Sequence, residues 1–120
     1  MIQMMMRRGS SEPYYDLSDD WSLIVSSFQS QYGIRLGTEL KNMSFREFSY
    51  LLTGLGSNTP LGRIVTIRAE KDPNVLKEFT PAQKKIRSEY LRKMAQRKSQ
   101  QEVDSVVEQF RQAFLKLAEQ

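Results

Sequence analysis

Three carboxylates, Asp16, Asp19 and Asp20, crowd a short stretch near the start of the chain. Carboxylates that close can hold a cation or share acid–base work. Their spacing fits no calcium loop, and no distant residue identifies itself as their partner. Helix-start chemistry accounts better for Asp19 and Asp20, because carboxylates there accept from free backbone donors and suit the positive end of the helix dipole. A second candidate is the run from Gly54 through Gly56 to Gly62, glycine-rich and leading into a helix as phosphate-binding loops do. Arg63-Ile64 stands where the P-loop pattern needs Lys-Ser/Thr, so a helix stop followed by a turn explains the glycines.

Other chemistries fail for want of parts. The sequence contains no histidine and no cysteine, which removes the commonest general base, the commonest metal ligand and every thiolate. The chain is therefore indifferent to the redox state of its compartment. Its serines and threonines have no G-x-S-x-G elbow to activate them. No catalytic residue, metal site or cofactor is expected, and the chain is read as a binding protein rather than an enzyme.

A third candidate is electrostatic. Residues 84–98 carry seven cations against Glu89 alone, a local charge of +6. The net charge is +4, so the rest of the chain carries −2. Cations on a helix bind nucleic-acid backbone by counterion release. At 100° per residue these charges point in almost every direction, which also describes a solvated helix. Lys84, Lys85, Arg92 and Lys93 lie away from the apolar stripe and are the candidate polyanion contacts, while Arg87, Arg97 and Lys98 crowd it.

The elements that must carry these groups read as helices. At 120 residues there is material for one domain and one modest core. Residues 1–17 show no period and are expected to form a flexible arm, from which Tyr14, Tyr15 and Leu17 could still pack down. A first helix starts near Ser18-Asp19-Asp20, buries Trp21, Ile24, Val25, Phe28 and Tyr32, and stops at Gly33. Ile34 to Gly37 is a short connector. Ser44 with Glu47 forms a capping box, and Met43 with Phe48 a hydrophobic staple, for a second helix burying Phe45, Phe48, Leu51, Leu52 and Leu55. Thr59-Pro60 opens a third. There Ile64 to Ile67 are β-branched and could be a strand by propensity, but no partner strand is in sight. Asp72-Pro73 opens a further turn or two through Val75, Leu76 and Phe79.

Thr80-Pro81 starts the longest helix, with Ile86, Tyr90, Leu91 and Met94 as its stripe. Ala95 to Glu102 is polar, and the helix either continues exposed or breaks there. Val103, Val107, Phe110, Phe114 and Leu117 then follow at spacings of 4, 3, 4 and 3, a heptad-like seam suited to helix-on-helix packing. The seam can pack on the first two helices or serve a partner; it is assigned here to partner or self contact. Trp21, Phe28, Phe45, Phe48 and Leu52 are assigned to the core. The fold expected is all-α, a compact helical domain over 18–98 with a C-terminal amphipathic helix over 99–120. No apolar run approaches the ~20 residues of a membrane span. The start puts Met1, Ile2, Met4, Met5 and Met6 before Arg7-Arg8, the reverse of a secretory signal, so a cytoplasmic protein is expected.

From Trp21 to about Tyr90 the chain resembles the bacteriophage "gene product fifteen" family of small proteins from tailed phages and prophages of Gram-positive bacteria. The residues that carry the resemblance are Phe28-Gln-Ser-Gln-Tyr32-Gly33-Ile34-Arg35-Leu36, Met43-Ser-Phe-Arg-Glu47-Phe48 and Leu51-Leu52-Thr-Gly54-Leu55. Thr59-Pro60-Leu61-Gly62, Ile64-Val-Thr-Ile67-Arg68 and Phe79-Thr-Pro-Ala-Gln83-Lys-Lys-Ile86-Arg87 follow in the expected order. The resemblance implies a role in tail morphogenesis as a tail-assembly chaperone. Such chaperones are helical, often self-associating, and sometimes made in a second, frameshift-extended form. The partners implied are the tape measure protein and other tail proteins, met in the host cytoplasm. The alternatives are a nucleic-acid-binding regulator using residues 84–98 and a structural tail component.

Overall fold

The computed structural model describes residues 13–98 and 103–119, and the expectations placed on residues 1–12 and 99–102 lie outside them. Every regular element among the described residues is helical. α1 spans Trp21–Tyr32, α2 Leu36–Glu39, α3 Phe45–Thr53, α4 Pro60–Ala69, α5 Pro73–Leu76, α6 Pro81–Lys98 and α7 Val103–Ala118, with a 3₁₀ turn at Leu40–Asn42. The segment from Ile64 to Ile67 is helical despite its β-branched side chains. With no neighbouring strand to pair with, only the helix satisfies its backbone.

Local signals set most of the boundaries. Gly33 takes the left-handed conformation at φ 69° and its N–H closes back on the Gln29 carbonyl, which stops α1. The Ser44 hydroxyl accepts from Glu47 N–H at 3.0 Å and starts α3. The Thr59 hydroxyl does the same for Gly62 N–H ahead of α4, with Pro60 at the first helical position. Thr80 and Gln83 form a reciprocal capping box before α6: Thr80 N–H donates to the Gln83 side chain, and Gln83 N–H to the Thr80 hydroxyl.

α1 is the central strut. Ile24 and Phe28 are fully buried on it. Phe28 stacks on Phe48 of α3, with ring centroids 5.4 Å apart. Ser27, also fully buried, donates to the Leu23 carbonyl and accepts from Leu61 N–H at 2.9 Å, which pins the start of α4 to α1. Leu61 and Val65 of α4 complete this core with Leu36, Leu40, Leu52 and Leu55. α6 lies along the other side of α4, burying Tyr90. The residues before α1 are not a loose arm from Pro13 onward, since Pro13, Tyr15 and Leu17 are buried. Tyr14 holds a left-handed backbone at φ 66°, a strained geometry for a bulky residue.

Candidate functional site

Two features of the sequence converge on one end of the molecule: the aspartate cluster with the basic helix, and the C-terminal seam. The aspartates do not cap α1, as the sequence had suggested. Asp20 stands at the cap position without a side-chain bond to the helix, and its carboxylate accepts instead from Asp16 N–H. Both Asp20 oxygens are gripped by Arg68 of α4, at 2.8 and 3.1 Å. Asp19 pairs with Lys93 and Asp16 with Arg97, both from α6. The distant partners that the sequence did not reveal are therefore three cations 48 to 81 residues away, for which no local spacing rule exists.

Arg68 is the hub of this arrangement. Its guanidinium lies 4.6 Å from the Tyr90 ring centre and also donates to the Tyr14 carbonyl at 3.1 Å. The strained Tyr14 backbone is thus fixed from the side of α4. The Arg68 Nε is buried with no hydrogen-bond partner among the described residues. Between α1, α4 and α6 lies a cleft of about 270 Å³, with Leu23, Ile64, Ile86 and Met94 as apolar lining and Asp19, Glu89 and Lys93 as charged lining. Its aspartates, Asp16, Asp19 and Asp20, answer cations of the chain itself. Among the described residues no three metal-ligating side chains are placed so that they could hold a metal ion together.

The candidate polyanion contacts divide. Lys84, Lys85 and Arg92 are exposed on α6, whereas Lys93 is tied to Asp19. Arg87 and Arg97, expected to crowd the apolar stripe, donate to the Glu70 carbonyl and to Asp16. The side chain of Lys98 lies outside the described residues. Amides of the glycine-rich loop hold the loop itself in place: Gly56 N–H donates to Gln31, Leu61 N–H to Ser27 and Gly62 N–H to Thr59. A Cβ at Gly62 would come within 2.1 Å of the Gly56 carbonyl oxygen, and this close approach is what the glycine is for.

The seam on α7 is seated on the body over part of its length. Phe114 is buried to 4% exposure, with its ring centre 5.0 Å from Phe48 and 5.1 Å from Phe45. Phe110 meets Tyr15 at 5.7 Å, and Leu117 packs half-buried on the same cluster. Arg111 lies over the outer side of Phe45, 5.6 Å from its centre. Tyr15, Phe45 and Phe48 therefore form an aromatic seat, and α7 fills it with Phe110, Phe114 and Leu117. Three of the five residues assigned to partner contact are engaged inside the molecule. Val107 falls on the same side of the helix as Phe114, seven residues and about 20° away, yet is 66% exposed. The side chain of Val103 lies outside the described residues. Leu115 is also half-exposed, on the outward side of α7, a position the heptad spacing did not flag.

Comparisons with curated proteins and with solved structures each return no match. The family model described as Bacteriophage Gp15 protein matches residues 3–99, a span that contains the whole stretch carrying the resemblance read from the sequence. With well over half of its length matched, the chain belongs to the bacteriophage Gp15 protein family.

Proposed function

We propose that the chain is a non-catalytic tail-assembly chaperone that binds the tape measure protein in the host cytoplasm until tail-tube subunits replace it. Membership of the Gp15 family supports a phage role. The observation that carries the finer reading is the seam of α7, whose apolar face runs past the body to an exposed Val107 in line with a buried Phe114. An apolar helix contact closed over only part of its length suits reversible exchange with another helix, and such binding needs no chemistry. A long helical protein that waits for its sheath presents many faces of this kind.

Co-expression with the tape measure protein of the same phage tests the proposal. The chaperone should raise the soluble fraction of its client and co-purify with it. If solubility is unchanged and the two separate on purification, the reading is lost. The protein should also be missing from purified virions, because a structural tail component would remain in them.

A further inference from the structure

The aromatic seat and the helix that fills it belong to different parts of the chain. Tyr15, Phe45 and Phe48 lie inside the span shared with the Gp15 family, residues 3–99, whereas α7 begins at Val103, beyond it. The seat is thus part of what the family model matches, and its cover is added after that. The manner of attachment is also particular. Among the described residues, α7 is held by side chains of its second half, Phe110, Phe114 and Leu117 with Ala113 and Ala118 beside them, while its seam leaves the body at Val107. Four polar residues, Ser99 to Glu102, separate it from α6 in the sequence.

We propose that α7 is an intramolecular placeholder and that the Tyr15–Phe45–Phe48 seat is the docking site for a partner's amphipathic helix. This rests on the chaperone reading and deepens it by naming the client feature that is bound. The occupant already in place defines that feature: two aromatic residues four apart, with an aliphatic residue three further on, along one helix face. A client helix with this pattern displaces α7 from Val107, which is already exposed, inward to Phe114. The exchange replaces one set of apolar contacts by a similar set, so binding is reversible and set by the difference between the two helices.

Trp21, the single tryptophan, reports on the seat. Its ring lies 6.1 Å from Phe48, which in turn touches Phe114. The probe is a synthetic peptide of residues 103–118, titrated into the full-length chain and followed by Trp21 emission. Because α7 competes in the wild type, the peptide should bind the Phe114→Ala chain at least tenfold more tightly than the wild type. A peptide carrying the same substitution should bind neither. Leu117→Ala, at a half-buried position, serves as the second unseating variant. Hydrogen exchange on the wild type requires no variant: α7 amides should exchange at least tenfold faster than those of α1. Equal peptide affinity for wild type and variants, or α7 protected as strongly as α1, overturns the proposal. So does a wild-type dimer that the peptide dissociates, since a second copy's α7 would then fill the seat. None of these measurements involves the tape measure protein. Their failure alongside successful co-purification would move the client site elsewhere and leave the chaperone reading standing.

Discussion

Asp20 and Arg68 are the charged pair on which the packing of this end of the molecule depends, because their side chains keep only 7% and 15% of their surface. Losing one partner leaves a dehydrated charge, and such losses cost about 3–5 kcal/mol. Arg68→Met should lower stability by that amount in urea unfolding, and combining it with Asp20→Asn should recover part of the loss. If the two effects simply add, the pair is not coupled as the geometry says. Lys93 and Arg97 are more exposed, and their pairs with Asp19 and Asp16 should each contribute within about 1 kcal/mol. Tyr15 supplies a pH dependence of definite sign. Its burial pushes the phenol well above its ordinary value near 10. The folded chain therefore keeps a proton that the unfolded chain releases, so this contribution is complete below about pH 10 and is lost as pH rises further. Between about pH 9 and about pH 11 the melting midpoint of Tyr15→Phe should fall less than that of the wild type. None of these pairings was legible in the sequence. Asp19 and Asp20 looked like helix-start residues, and Asp16 was left without a partner, because partners 48 or more positions away leave no local trace.

Helices, by contrast, announce their ends in neighbouring residues, and here the sequence could be read closely. Ser44 with Glu47, Thr59 with Pro60 and Gly33 all act within one turn of the backbone that they satisfy or bend. Ser44→Ala should cost about 1 kcal/mol, as cap removal does. Less legible were relations between elements. Gln31 of α1 clamps the loop after α3, donating to the Gly54 carbonyl and accepting from Gly56 N–H. Gly62 is present for contact with that same loop rather than for its own turn. Gly62→Ala would press a methyl into the Gly56 backbone, where nothing flexible can give way, so a loss of about 1–3 kcal/mol or more is expected. A thermal melt of the variant measures it. An unchanged midpoint would mean that the α3–α4 loop is free to retreat.

At the scale of the whole molecule, the all-α class followed from the stripes and caps, but the destination of the seam did not. A heptad-like spacing looks the same whether the helix meets its own body or another chain, and α7 does the first with Phe114 while leaving Val107 exposed. The charge asymmetry was legible as a count and misleading as a surface. Seven cations in residues 84–98 suggested a polyanion site, yet Arg87, Lys93 and Arg97 are spent on Glu70, Asp19 and Asp16. Lys84, Lys85 and Arg92 remain exposed on α6. Three phosphate contacts give a salt slope of only about −3, too shallow a dependence to come from a strong electrostatic site. Fluorescence anisotropy with duplex DNA and with single-stranded RNA should therefore show no saturable binding at about 0.15 M salt. Weak association below about 0.05 M salt should vanish as salt is raised. Tight binding at physiological salt with a slope well beyond −3 would mean that cations besides these three engage the polyanion, and would restore the nucleic-acid reading over the chaperone one.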